Sequence, residues 1–483
     1  MAMLSTSTAA TPQYAGLLQS ILAFGSFTDL PAFSETCANI GGRQNHPDVA
    51  FLKLGSQKFA VVSGPTLAEL VESGSLSKRS PANNLLRVIF GEEGVFTAET
   101  GDEQQEARKL IASFINNPET LKKRSDDVRD LVHAFLRKID PSKSFDLREV
   151  MKDISWRVAA LSLFGFDPTD PTYQEGGQKF RESIHTLEGI LISIFQSSDP
   201  DKKLKKCEGE IKKHQKQLHD FVGWLIEKKR ETIGTENESR DILTTMIKRG
   251  KFNDEQLRQH AITLFFASYD TTSGVLTNTL YGLSKKPEIL QRLLNDLRRE
   301  PFKEVKMTDP DYPVQAIMEG VRMAAVADFT VRGLKADENM VFAGYMIEKG
   351  TTVFCNTYPA SRSKKLWGDT ADQFDPEHFA GVKPQDPKFT AFQQFFGPES
   401  RRRCLGMMFA MNEMRMILSA FASYGDGKGA AFKIEKAVTD RRLVARWLRM
   451  LGANLGEGWL VQKLGVTNTP AYPVRARLQV GIF

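Results

Sequence analysis

The chain has 483 residues, 41% of them hydrophobic, with 65 basic against 59 acidic residues and a net charge of +6. So small a net charge does not point to nucleic acid. Four scattered cysteines, Cys37, Cys207, Cys355 and Cys404, form no CxxC or Cys/His cluster, so neither a zinc site nor a disulfide framework is indicated and a reducing compartment fits. The length would allow two to four average domains, but no linker divides the chain, so one large domain over 14–483 is expected.

Residues 1–13 are rich in Ser, Thr and Ala and are expected to be disordered. Tyr14 to Phe27 is apolar but short and broken, without a signal peptide's basic start, so no transmembrane segment is evident. Val49 to Leu54 and Phe59 to Val62 alternate around a polar turn and predict a hairpin. Thr66 to Gly74 predicts a helix that opens after Pro65. Leu76 to Ala98 lacks a clean period and contains Pro81, Gly91 and Gly94, which predicts a long irregular segment.

Helical periodicity then dominates: Asp102 to Ile115, Pro118 to Ile139, Leu147 to Phe164, and a broken region from Tyr173 to Phe195. Asp199 to Thr232 is lysine-studded and predicts a helix with a solvated face. Further helices are expected over Asn253 to Lys285, Pro287 to Arg299 and Pro313 to Ala325, and short strands near Val341 to Phe354. Helix exceeds strand throughout, which excludes sandwiches and barrels.

The stretch Phe395-Phe396-Gly397-Pro398-Glu399-Ser400-Arg401-Arg402-Arg403-Cys404-Leu405-Gly406 precedes an apolar helical run from Met407 to Phe421. Free amides, the positive end of a helix dipole and nearby arginines all favour a thiolate at Cys404. A buried structural cysteine is the competing reading. A second stretch, Phe265-Phe266-Ala267-Ser268-Tyr269-Asp270-Thr271-Thr272-Ser273, sets an acid and hydroxyls inside an apolar helix, where a carboxylate is costly without a partner. Either Thr271 and Thr272 bond back to the helix with Asp270 at the surface, or the acid and hydroxyl move protons. Glu319 and Arg322, three apart, share a helix face, and exposed pairs of this kind contribute only about 0.3–0.5 kcal/mol.

Taken together and in order, these segments resemble cytochromes P450. The pattern of the cysteine loop fits at Arg402, Cys404 and Gly406. Phe396 lies one residue further from the cysteine than the family's phenylalanine, and Ser400 stands where its second glycine is expected, which predicts a loop longer by one residue. Ala267, Asp270, Thr271 and Thr272 match the oxygen-activating segment, with Ser268 in place of its glycine. Glu319-Gly320-Val321-Arg322 matches Glu-x-x-Arg, and Phe374-Asp375-Pro376-Glu377-His378-Phe379 resembles Pro-Glu-Arg-Phe with His378 in place of arginine. The resemblance covers about residues 45 to 425.

It implies a mainly α fold, a helical domain with small β-sheets enclosing a haem. Cys404 would be the axial ligand of the haem iron, with Phe396 and Gly406 in the loop beneath it. Arg108, Arg332 and Arg402 would pair with the propionates of haem b. Asp270 and Thr271 would be catalytic, passing protons to bound oxygen. Glu319, Arg322 and His378 would form a structural network. The pocket would be lined by Phe90, Phe96, Phe266, Ala267, Ala325 and Phe329, and by residues around Ile190 to Phe195.

The implied reaction inserts one oxygen atom from O2 into a lipophilic small molecule: a terpenoid, steroid, fatty acid or other secondary metabolite. Electrons would come ultimately from NADPH or NADH through a redox partner, a P450 reductase or a ferredoxin. The alternatives are a haem-thiolate isomerase or dehydratase, a peroxide-driven oxygenase, or a non-catalytic haem-binding protein. An enzyme without the family's N-terminal anchor, absent or removed, is expected in the cytoplasm or peripherally at a membrane surface. Residues 431–464, helical and basic in pattern, look like an insertion before the C-terminal strands.

Overall fold

The computed structural model describes residues 10, 12–16, 19, 30–43, 48–54, 57–78, 80–195, 197, 199–301, 303–324, 326–327, 329–334, 339–342, 344–425, 430–436, 462–463, 469–470 and 474–480. Long helices carry the architecture. In chain order they are α1 (Leu30–Arg43), α2 (Gly64–Glu72), α3 (Pro81–Phe90), α4 (Asp102–Ile115), α5 (Pro118–Leu136), α6 (Leu147–Phe164), α7 (Pro171–Phe195), α8 (Pro200–Thr232) and α9 (Ile242–Arg249). There follow α10 (Asp254–Ser284), α11 (Pro287–Arg299), α12 (Tyr312–Ala324), three short helices, and α16 (Met407–Ser423). Among the described residues none is long and apolar enough to cross a membrane.

The expected hairpin is present, Val49–Leu54 (β1) against Gln57–Val62 (β2), with Val49 opposite Val62 and Leu54 opposite Gln57. It continues into a five-stranded sheet through a parallel pairing of β2 with Thr352–Asn356 (β5), then Phe329–Leu334 (β4) and the two-residue strand Leu76–Ser77 (β3). The small sheets and dominant helices match the expected fold.

Three expectations are corrected. The segment expected to be irregular contains α3: Ser80 accepts the Asn83 amide at 3.2 Å and Pro81 stands in the first turn. Proline is pre-organised there rather than disruptive, so the supposed breaker marks a helix start. The region expected to be broken before Phe195 is one continuous helix, α7. Ala430–Lys436, at the start of the supposed helical insertion, is a strand (β6) that pairs with Arg475–Val480 (β7). Phe432 is buried and Lys433 exposed there, the two-residue alternation of a half-buried strand. Residues 437–461 lie outside the described residues.

α10 organises the core. It opens with a capping box in which Asn253 and Gln256 bond reciprocally at 2.9 and 3.1 Å. Its first half, Leu257 to Tyr269, packs in one apolar cluster with α6, α7 and α8, and its second half, Val275 to Leu283, in another with α11, α12 and α16. The run from Asp270 to Gly274 lies at the junction of the two. α12 approaches so closely that a Cβ on Gly320 would stand 1.9 Å from Thr279 Oγ1.

Candidate functional site

A cavity of about 420 Å³ lies between α10 and the cysteine loop. On the α10 side its wall includes Phe266, Ala267, Ser268, Thr271 and Thr272, and on the loop side Phe396, Gly397, Arg402, Cys404 and Gly406. Most of the remaining lining is apolar, and the volume falls in the range of small-molecule sites.

The cysteine loop is closed by its own backbone. Cys404 N–H donates to the Phe396 carbonyl at 2.6 Å, and Arg402 N–H to the Glu399 carbonyl at 3.0 Å. Gly397 takes φ of +110°, a conformation open to glycine and strained for other residues. Ser400–Arg402 forms a single 3-10 turn, and α16 begins at Met407 behind Gly406. The Cys404 side chain faces open space in the cavity while lying deep in the protein. Burial pushes its thiol up, opposed by the Gly406 backbone N–H and by the Arg108 charge.

Cations gather along one edge of the cavity. Arg108 donates to the Arg403 carbonyl and Arg402 to the Ala98 carbonyl, both at 2.6 Å. Arg332 pairs with Glu399. Sequence reasoning missed a fourth, Lys78, which is buried with its ammonium 4.4 Å from the centre of the Phe96 ring. Lys78 is held well below its ordinary range, first by burial and then by the Arg332 and Arg402 charges; Glu399 opposes this but is engaged by Arg332. Arg402 is lowered to about 10 by burial and by Arg332. Cations so crowded, Lys78 and Arg332 buried and Arg108 and Arg402 half-buried, with so little counter-charge, suit an anionic group in the cavity. A sulfur on the loop and a cluster of cations at the edge fit a haem and its two carboxylates.

The two neighbours on α10 face opposite ways. Thr271 lines the cavity and its hydroxyl donates to the Ala267 carbonyl at 2.9 Å. Asp270 is neither at the surface nor among the cavity-lining residues. It is buried, with Oδ1 3.1 Å from Lys152 Nζ on α6. Thr272 donates to the Ser268 carbonyl at 2.9 Å and contacts Glu413 Oε2 at 3.4 Å. Glu413, fully buried on α16, also lines the cavity, and burial pushes its carboxyl up to about 8. Its signal was a lone acid in the apolar run after Cys404, and that of Lys152 a lone cation on the buried side of α6.

Of the expected pocket residues, Phe96, Phe266, Ala267 and Phe329 line the cavity, and α7 contributes Leu191 and Ile192. Phe90 does not: it packs behind Phe266, ring centres 4.4 Å apart. Ala325 lies outside the described residues. Glu319 and Arg322 are fully buried rather than exposed, bonded at 2.6 and 2.8 Å, with Arg322 also donating to the Ser361 and Ala371 carbonyls. His378 Nδ1 sits 3.0 Å from Glu319 Oε1, and Nε2 sits 2.9 Å from Thr370 Oγ1.

A helical fold around an apolar cavity, with one cysteine on a closed loop and cations at the edge, has the parts that a haem-thiolate protein needs. The Cytochrome P450 family profile matches residues 41–423, and the chain belongs to that family of haem-binding oxidoreductases. It is 24% identical over 409 residues to a bifunctional cytochrome P450/NADPH–P450 reductase of Bacillus cereus, covering 78% of this chain but only 37% of that protein. It is 24% identical to a cytochrome P450 monooxygenase of Gibberella moniliformis (77% of this chain, 69% of that one) and 22% identical to a geraniol 8-hydroxylase of Catharanthus roseus (90% and 87%).

Proposed function

We propose that this protein is a monooxygenase that inserts one oxygen atom of O2 into a lipophilic small molecule, using electrons that originate in NADPH or NADH and arrive through a reductase or ferredoxin. Terpenoids, steroids, fatty acids and other secondary metabolites share the chemistry that such a cavity would take. The observation that carries the reading is one apolar cavity lined by Cys404 on one side and by Ala267 and Thr271 on the other.

Bound there, haem b with a thiolate ligand would supply oxygen activation and O–O cleavage. Cys404 would hold the iron, and Arg108, Arg332, Arg402 and Lys78 the propionates. Phe96, Phe266 and Phe329 would exclude water and orient the substrate. The balance is substrate, O2, two electrons and two protons giving hydroxylated product and water. Thr271 would hold a hydrogen bond on the cavity side, and Asp270 would supply protons from behind the helix.

The test is product formed per electron. Thr271→Ala is expected to release more peroxide and less product, with substrate binding little changed. Product formation independent of reductant would favour the isomerase or peroxide-driven readings instead.

A further inference from the structure

Behind α10, away from the cavity, lies a cluster of titratable groups that the reading so far leaves largely unused. Lys152 comes from α6, His185 and Glu188 from α7, and Tyr269 and Asp270 from α10. Lys152, Asp270 and Glu188 are all nine-tenths or more buried. Glu188 Oε2 lies 3.4 Å from His185 Nδ1, and the His185 side chain is 34% exposed. The imidazole stands edge-on to Tyr269, ring centres 5.9 Å apart. Among the described residues, Glu188 Oε1 and the Tyr269 hydroxyl are buried with no hydrogen-bond partner.

Counted over Lys152, Asp270 and Glu188 alone, the charges do not balance without a proton. One ammonium, Lys152, faces two buried carboxyls, Asp270 and Glu188. Two carboxylates on one buried cation leave a net negative charge, which is costly away from water. Neutrality returns when one proton resides on Glu188 or on His185. Burial and the Asp270 charge raise Glu188, while His185 and Lys152 oppose this. Arg181 on α7 and Glu149 on α6 are also felt at Tyr269. Arg181 shares Asp153 with Arg157 of α6, which lies 3.6 Å from it, and His214 of α8 turns to Ser183 Oγ at 3.1 Å.

We propose that His185 and Glu188 share one exchangeable proton and form the inlet that reloads Asp270 from solvent. In each reload the neutral imidazole, with its proton on Nδ1, takes a solvent proton at Nε2, and the resulting imidazolium gives its Nδ1 proton to Glu188 Oε2. A flip of the half-exposed ring resets the tautomer, and Glu188 passes the proton on towards Asp270. Histidine suits the outer position, since its two ring nitrogens let it accept a proton on one side and donate one on the other. Both are positioning residues, because neither touches the cavity. The inference rests on the monooxygenase reading only for what the proton is used for.

The experiment uses the haem-loaded full chain with Glu188→Gln and His185→Gln, two substitutions of similar shape. Infrared titration reads the proton directly. Wild type is expected to show, besides the band of Glu413, a second carboxylic-acid band that is lost in Glu188→Gln and whose pH dependence changes in His185→Gln. The pH profile of product per electron is the second reading. His185→Gln is expected to change that profile, and product formation to slow roughly tenfold, short of the ~10²-fold or more typical of a direct proton donor. An unchanged band in Glu188→Gln, or a wild-type pH profile in His185→Gln, overturns the inlet. If wild type makes no reductant-dependent product while the band behaves as expected, the monooxygenase reading fails and the shared proton stands.

Discussion

Thr272 and Glu413 join α10 to α16 across the cavity wall: the threonine hydroxyl lies 3.4 Å from Glu413 Oε2, and Glu413 Oε1 has no partner among the described residues. Unfolded, this carboxyl ionises in the ordinary carboxylate range; folded, it keeps its proton to about pH 8. Its stabilising contribution is therefore complete at pH 4 and below, and is lost as the pH rises towards 8. The slope expected from this group is up to about 1.4 kcal/mol per pH unit. Glu413→Gln should flatten that slope, so that the variant gains on wild type between pH 5 and 8 in denaturant melts. Parallel curves would show that Glu413 ionises normally.

The pair Lys152–Asp270 is buried on both sides, with side-chain exposures of 5% and 6%. Removing one partner from such a pair leaves an uncompensated charge. Lys152→Met is expected to cost about 3–5 kcal/mol. Lys152→Met with Asp270→Asn should recover much of that loss, because the second change removes the stranded charge. A double variant as unstable as the sum of the singles would mean that the two residues act independently.

These pairs mark the limit of what the sequence discloses. Periodicity and caps sufficed for α4, α6 and α11, whose bounds the structure reproduces. They failed at α3, where Pro81 reads as a breaker until Ser80 is seen capping the turn. They failed again at Ala430–Lys436, whose strand pairing depends on residues some forty positions later. Cys404, Arg402, Thr271 and Ala267 were legible because they fall at fixed spacings in local segments. Lys78, Lys152, Glu188 and Glu413 were not, because their significance comes from partners on other helices.

Arg401 and Arg403 bear on the electron donor. Arg401 is exposed, while Arg403 is half-buried and lends its carbonyl to Arg108. Positive charge beside Cys404 would steer an acidic donor towards it, and exposed charges are screened over roughly 10 Å at 0.1 M salt. First-electron transfer should therefore slow as salt rises. Arg401→Glu should slow it at low salt while leaving the haem spectrum intact. A rate indifferent to both would make the arginines loop scaffolding alone.

The proposed oxygenation depends on the Cys404 sulfur as the ligand of the haem. The direct measurement is the carbon-monoxide difference spectrum of the reduced, haem-loaded protein, taken for wild type and for Cys404→Ser. The account predicts the red-shifted band of a thiolate ligand in wild type and its loss in the variant. A thiolate band that survives in Cys404→Ser, or none in correctly folded wild type, would contradict it.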